Sequence, residues 1–239
     1  MRKQLDKTGN EFKTYSDVFD EFTLRNVFKL SSQDYFVDGS LSPLFIGKES
    51  NVFIAKNKEG KKVIVKIYRL STCDFNQMYN YIKLDERYAA LKKQKRKVIF
   101  AWAQREFRNL LKAREAGVRV PIAHTCLFNI IVMEFIGHEG AAKKLKDLEP
   151  ENKKRFYDET LKNMKKLHKA GLVHGDLSSF NILNLDDKPI FIDFSQCTVT
   201  KSSNAEELLN RDISNVGNYF NKIGFKVNKE EMKEFITGE

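Results

Sequence analysis

The chain holds three cysteines among 239 residues, Cys73, Cys126 and Cys197, and no two of them form a C-x-x-C pair. That spacing supplies neither a zinc site nor a disulfide framework, so buried thiols in a reducing compartment are expected. Long apolar runs are missing too. The longest, Cys126 to Gly137, is interrupted by Asn129 and Glu134 and is too short to cross a bilayer as a helix. The first residues, MRKQLDKTGNEFKTY, lack the apolar stretch of a secretory signal. A cytoplasmic protein with no membrane partner is the resulting expectation. Internal repeats and low-complexity tracts are absent as well. With 41% hydrophobic and 31% charged residues, the composition suits a folded domain and excludes a disordered chain.

Positive charge is plentiful. Lys and Arg number 42 against 32 acids, a net charge of +10. Most of it lies in residues 83–119, where twelve Lys/Arg stand against four acids. Such a stretch suits an anionic partner, and equally a solvated helix face and loop.

Periodicity gives an α+β order. A helix is expected from about Ser16 to Leu30, with Phe19, Phe22, Val27 and Leu30 forming a partial apolar face. Short β-rich runs follow at Leu44–Ile46, Val52–Ala55 and Val63–Tyr68, with a turn at Asn57–Gly60. A helical region is expected from about Phe75 to Ala116, closed by Gly117. Two strands are expected at Thr125–Phe128 and Ile130–Phe135. Phe156, Thr160, Met164, Leu167 and His168 then recur at helical spacing up to Gly171. The expected organisation is two lobes. Residues 1–40 form a helical lead-in packed on the core. Residues 41–136 form a β-rich N-lobe with an embedded helix, and 137–239 a small, mainly helical C-lobe.

The sharpest motif is His174-Gly175-Asp176-Leu177-Ser178-Ser179-Phe180-Asn181, of the form H-x-D-L-x-x-x-N, followed by Phe191-Ile192-Asp193-Phe194. Asp176, Asn181 and Asp193 together offer a base and oxygen ligands suited to Mg²⁺. Phosphoryl transfer needs this set: an Asp to orient the acceptor hydroxyl, and an Asn and an Asp to hold metal. Three further pieces should lie upstream. The turn from Ile46 through Gly47 and Lys48 to Val52 can cover phosphates, although alone it is also an ordinary hairpin turn. Lys66 stands within Val-Ile-Val-Lys-Ile-Tyr, where a lysine needs a partner unless it lies on an edge. Glu106 has Trp102, Ala103 and Leu110 at helical offsets, which place it on an apolar stripe and make Lys66 its natural cation. Adenine is expected at the backbones of Glu134 and Ile136, where strands give way to helices.

These segments resemble the RIO family of atypical serine protein kinases over about residues 15–238. The resemblance rests on Gly47–Phe53, Val65–Arg69, Asp85–Tyr88, Trp102–Leu110, Val132–Gly137, His174–Asn181 and Ile192–Gln196. Only 46 residues precede Gly47, which favours the short type-one form over one with a leading winged helix. The resemblance implies a bilobal protein-kinase-like fold lacking activation-loop and substrate-docking helices, and binding of ATP with Mg²⁺, or Mn²⁺ in its place. It implies that Lys66 binds phosphates, Glu106 orients Lys66, Asp176 is the catalytic base, Asn181 and Asp193 hold metal, and Asp212 braces the catalytic loop. It further implies an ATPase mode through an aspartyl-phosphate at Asp193. The implied setting is maturation of the small ribosomal subunit, with its RNA contacted through Lys92, Lys93, Lys95, Arg96 and Lys97. The chain departs from the family pattern in three places. Phe45 and Ile46 replace the usual Ser-Thr, and Gly175 replaces Ala in His-Ala-Asp. The mobile loop expected over about 85–97 has no Ser or Thr, leaving Ser202, Ser203 or the N-terminal hydroxyls as autophosphorylation candidates. Two other readings compete: a small-molecule kinase of the aminoglycoside or choline kinase type, and a non-catalytic ATP-binding assembly factor.

Overall fold

The computed structural model describes residues 19–238. They fall into two units, neither of them one continuous span. The first comprises residues up to Tyr79, Lys92–Gln104 and Ala123–Phe135, and the second comprises Asn80–Leu91, Arg105–Ile122 and everything from Ile136.

The first unit begins with helix α1 (Glu21–Ser32), capped by the Asp20 carboxylate, which accepts from the Thr23 backbone N–H. That cap sets the start at Glu21, later than the expected Ser16; residues 16–18 lie outside the described residues. A five-stranded antiparallel sheet follows, with β1 (Ser42–Ile46), β2 (Ser50–Lys56), β3 (Lys62–Tyr68), β4 (Ala123–Leu127) and β5 (Ile130–Glu134) in the order β1-β2-β3-β5-β4. Alternation sorts its two faces. Phe53, Ala55, Val63, Val65, Ile67, Ile130 and Val132 join Val27 and Leu30 of α1 in one core. Burying a side chain the size of Leu30 contributes about 1.5–3 kcal/mol. Val52 and Lys66 are register partners, as are Lys66 and Ile131. These three therefore share the opposite face. Asn129 ties the helix to the sheet by donating to the Thr23 hydroxyl at 3.0 Å and the Tyr68 carbonyl at 2.8 Å.

The expected helical region from about Phe75 to Ala116 consists of separate pieces. Helix α2 (Phe75–Ile82) ends early, a short 3₁₀ turn covers Glu86–Tyr88, and α3 (Lys95–Glu115) starts afresh. At the interruption the fully buried Asp85 caps the 3₁₀ turn, its carboxylate accepting from the Arg87 backbone N–H and guanidinium. The loop expected at 85–97 is correspondingly shorter: only 89–94 separates the 3₁₀ turn from α3. Gly117 ends α3 at φ 75°, as its position suggests.

The second unit contains helices α4 (Lys153–Lys169), α5 (Ala205–Lys222) and α6 (Lys229–Thr237). Before and between the first two run short strands that periodicity did not reveal: β6 (Lys143–Lys144), β7 (Leu172–Val173), β8 (Ile182–Leu185), β9 (Lys188–Phe191) and β10 (Thr198–Val199). Two pairings matter for function. β8 and β9 form a tight hairpin through Asp186 and Asp187, both at positive φ as a primed turn requires. β7 pairs with β10, matching Val173 to Thr198. The first pairing brings the chain just after residue 181 beside the chain just before residue 192. The second does the same for residues 173 and 198. No helix among the described residues is long and apolar enough to cross a membrane.

Candidate active site

The two strand pairings bracket two loops, 174–181 and 192–197, and hold them side by side. At one end the Ile192 N–H donates to the Asn181 carbonyl at 3.0 Å. Further in, the His174 ring meets the Ile192 carbonyl at 3.1 Å through Nε2, and Nδ1 accepts from the Asp176 N–H at 3.4 Å. Those partners make His174 a neutral Nε2–H tautomer. Complete burial supports this, pushing its pKa down to about 4. His174 is therefore a structural member of the motif, pinning one loop to the other.

Asp176, Asn181 and Asp193 come together here, as their spacing suggests. The Asn181 amide donates to the Asp176 carboxylate at 3.0 Å and to the Asp176 carbonyl at 2.8 Å. The Ser195 hydroxyl donates to Asp193 Oδ1 at 2.8 Å. Asp193 itself sits at φ 62°, a left-handed conformation that non-glycine residues adopt at a cost, and one that clusters at functional sites. Burial raises the Asp176 pKa, and the neighbouring Asp193 charge raises it further; Arg211 and Asn181 act in the opposite direction. A carboxylate whose pKa is raised by a second carboxylate beside it marks a place where a cation is welcome. The donors are hard oxygens, so the residues fit Mg²⁺. No cluster of three or more His, Cys, Asp or Glu suited to a metal exists among the described residues. A cation held by Asn181 and Asp193 would complete its shell with water and phosphate oxygens.

Asp212, on α5, braces the loop as expected. Its two carboxylate oxygens accept from Gly175 N–H at 2.8 Å and Leu177 N–H at 2.7 Å. Burial nonetheless pushes its pKa up to about 7. Arg211, which the motif did not single out, donates to the Gly175 carbonyl and to Gln196 Oε1. Gly175 answers the departure from His-Ala-Asp. It lies at φ 79°, and a Cβ there would stand 2.9 Å from the Gln196 carbonyl and 3.0 Å from the Tyr81 hydroxyl. In this chain the loops meet too closely for alanine.

Lys66 and Glu106 fall in different units. Lys66 is 8% exposed and its ammonium lies 5.2 Å from the centre of the Tyr68 ring. Glu106 is 1% exposed, on the α3 stripe with Trp102, Ala103 and Leu110. Each is thus buried as its surrounding sequence requires. Val52 sits across from Lys66, while Ile46 and Lys48 lie exposed around Gly47, whose N–H donates to the Ser50 carbonyl at 3.0 Å. Glu134 ends β5 in the first unit, and Ile136 opens the next stretch of the second. The Ile136 carbonyl accepts from Ala142 N–H at 2.9 Å.

Ser202 does not suit autophosphorylation. It is buried and its hydroxyl donates to the Leu84 carbonyl at 2.9 Å; Ser203 is exposed.

Comparison with known proteins identifies the family. Residues 51–234 match the RIO domain family. A RIO-type serine/threonine-protein kinase Rio1 of Haloferax volcanii is 38% identical over 234 residues, 98% of this chain and 80% of that protein. The Rio1 of Methanocaldococcus jannaschii is 39% identical, covering 96% of this chain and 79% of its own. Among solved structures, the Rio2 kinase of Chaetomium thermophilum with ADP, Mg²⁺ and phosphoaspartate superposes with a TM-score of 0.67. At 21% identity over 89% of this chain and 66% of that one, this likeness speaks to the fold, which is bilobal and kinase-like.

Proposed function

This chain belongs to the RIO family of serine/threonine-protein kinases, and from that membership we propose that it transfers the γ-phosphoryl group of ATP to a serine or threonine hydroxyl. Asp176 orients the hydroxyl and takes up its proton as the new P–O bond forms and ADP leaves. The observation that carries this reading is the joining of Asp176, Asn181 and Asp193 by the bracketed loops, with Asp212 locking the loop that holds the base. Asn181 and Asp193 would hold Mg²⁺, or Mn²⁺ in its place, which when bound neutralises charge on the phosphates. Lys66 contacts those phosphates and Glu106 orients it. Ile46, Lys48 and Val52 cover the nucleotide, and the backbones of Glu134 and Ile136 take the adenine.

A second mode has specific support. The similar Rio2 structure carries a phosphoaspartate beside ADP and Mg²⁺, and Asp193 is the corresponding acceptor candidate here. In that mode an Asp193 oxygen attacks the γ-phosphorus, ADP leaves, and water later hydrolyses the acyl-phosphate. The ATPase cycle would then act as a release switch. The setting we propose for either mode is the cytoplasmic maturation of the small ribosomal subunit. Lys92, Lys93, Arg96 and Lys97, all exposed, together with the half-buried Lys95, face its RNA.

The test is to incubate the protein with Mg²⁺ and γ-labelled ATP and then treat the product with hydroxylamine, which cleaves acyl-phosphates and spares phosphoserine. Surviving label supports the serine kinase. Label lost from wild type and never acquired by Asp193→Ala supports the aspartyl-phosphate mode. Nucleotide binding without any label overturns both.

A further inference from the structure

Four consecutive backbone carbonyls follow the metal-ligand candidate Asp193, and each accepts a hydrogen bond from a side chain. Asn109 Nδ2 donates to Phe194 O at 3.3 Å and to Cys197 O at 2.7 Å. Arg105 Nη1 donates to Ser195 O at 3.3 Å. The Tyr81 hydroxyl donates to Gln196 O at 3.2 Å. Arg105 and Asn109 are one helical turn apart on α3, and both are 0% exposed.

The clasp has its own fastening. Asn109 Oδ1 accepts from Arg87 Nη1 at 3.1 Å. Arg87 grips Asp85 with Nη2 at 2.6 Å and Nε at 2.9 Å, and Arg105 Nε stands 3.5 Å from the same carboxylate. A fully buried arginine and aspartate carry a desolvation cost, and well-packed apolar residues often give equal or better stability. Stability alone therefore does not explain the choice of these residues. What the polar set provides is direction: each donor fixes one carbonyl or two, and together they leave segment 194–197 a single backbone path. That path starts at Asp193, whose φ of 62° needs support from its surroundings.

We infer that Tyr81, Arg105 and Asn109 are positioning residues that hold the backbone after Asp193 and thereby aim its carboxylate at the metal. The inference rests on the assignment of Asp193 as a metal ligand. It makes the metal loop of this chain a fixed element, set by contacts from α3 and the segment before it. Loss of an outer partner typically costs about 10–100-fold in metal affinity.

Three variants of the full chain test this: Asn109→Ala, Asn109→Asp and Tyr81→Phe. Asn109→Asp keeps the acceptor for Arg87 and loses the donor to the two carbonyls. Mn²⁺ binding in the presence of ADP is followed by electron paramagnetic resonance, alongside thermal melts and nucleotide affinity without metal. Both Asn109 variants should weaken Mn²⁺ binding by about tenfold or more, with metal-free nucleotide affinity unchanged. Tyr81→Phe, which removes one hydroxyl, should weaken it by about threefold with little change in melting temperature. Wild-type Mn²⁺ binding in a folded Asn109→Asp protein would show that only the Arg87 contact matters, and overturns the clasp. Should Asn109→Asp not fold, wild-type Mn²⁺ binding by Tyr81→Phe overturns it instead. Asp193→Ala run in parallel separates the two levels. Undiminished Mn²⁺ binding by that variant overturns the ligand assignment and the clasp with it, whereas loss there with no loss in the clasp variants overturns the clasp alone.

Discussion

Asn181 spends its side-chain amide on Asp176 twice, donating to the carboxylate at 3.0 Å and to the main-chain carbonyl at 2.8 Å. The amide oxygen is thereby turned away from Asp176. The proposed base and the proposed metal ligand are thus joined, five residues apart, so that a contact which fixes Asn181 also fixes Asp176. Burial and the Asp193 charge hold the Asp176 pKa above the ordinary carboxylate value, which moves the group toward the range where a general base works best.

Asp176→Asn keeps the shape of this unit and removes its proton acceptor. Phosphoryl transfer to protein should fall by about 10²–10⁴-fold. ATP affinity by calorimetry should stay within about tenfold, because the base acts in the transition state. Transfer at more than a tenth of the wild-type rate removes Asp176 from the role.

His174 and Asp212 grip the same loop with opposite pH dependence. Burial pushes His174 down to about 4. Between about pH 4 and 6.5 the unfolded chain binds a proton there that the folded chain does not. That contribution is present above the unfolded pKa and is lost as pH falls through 4, an effect of about 3 kcal/mol. Asp212 is pushed up to about 7, chiefly by burial, against the pull of its two N–H donors. Its contribution is present below the unfolded value and is lost as pH rises through 7. In the wild type the two slopes offset. Denaturant melts across this range should show His174→Gln losing stability relative to wild type as pH rises from 4 to 6.5. Asp212→Asn should gain relative to wild type from 4 to 7. Parallel curves for wild type and both variants would refute the assignment.

The residues legible in the sequence are those whose chemistry sits in a continuous segment. His174 to Asn181 and Phe191 to Phe194 declare themselves because phosphoryl transfer fixes both residue type and spacing. Glu106 was legible from its helical neighbours Trp102, Ala103 and Leu110, all of which are buried. The strands that bring the loops together were not, since two-residue pairings such as Leu172–Val173 with Thr198–Val199 carry no periodicity. Periodicity does not place the break between α2 and α3, because Asp85 looks solvent-bound in sequence and is buried only through tertiary contacts. One signal was present for the clasp: Arg105 and Asn109, four residues apart, flank Glu106 on a stripe otherwise apolar.

Lys66 faces away from the core of its sheet, opposite Val52 and Ile131. A lysine 8% exposed calls for negative charge nearby, and the partners proposed for it are the nucleotide phosphates and Glu106. Lys66→Ala should lower kcat/KM for ATP by at least about tenfold, a loss of about 1.4 kcal/mol in transition-state binding. A cycle with Glu106→Gln should be non-additive by about 0.5–3 kcal/mol. Additive losses would mean that the two residues act separately.

The basic residues before and at the start of α3 differ in what they already touch. The Lys95 ammonium donates to the Ser71 carbonyl at 2.7 Å, Lys93 lies over the Tyr79 ring and Arg96 over the Phe22 ring. Lys92 and Lys97 are exposed. Cation–ring attraction at an exposed site is weak, about 0.5–1 kcal/mol, so Lys93 and Arg96 can give it up for a phosphate. Lys95, held by a main-chain carbonyl, is the least available of the five. Neutralising Lys92, Lys93, Arg96 and Lys97 should therefore flatten the dependence of RNA affinity on salt, by about 0.7 for each phosphate of a single strand that no longer meets a cation. Adding Lys95→Gln to that variant should change the slope little. Titrations of single-stranded RNA at several salt concentrations check both statements. An unchanged slope in the fourfold variant would make this segment a solvated helix start.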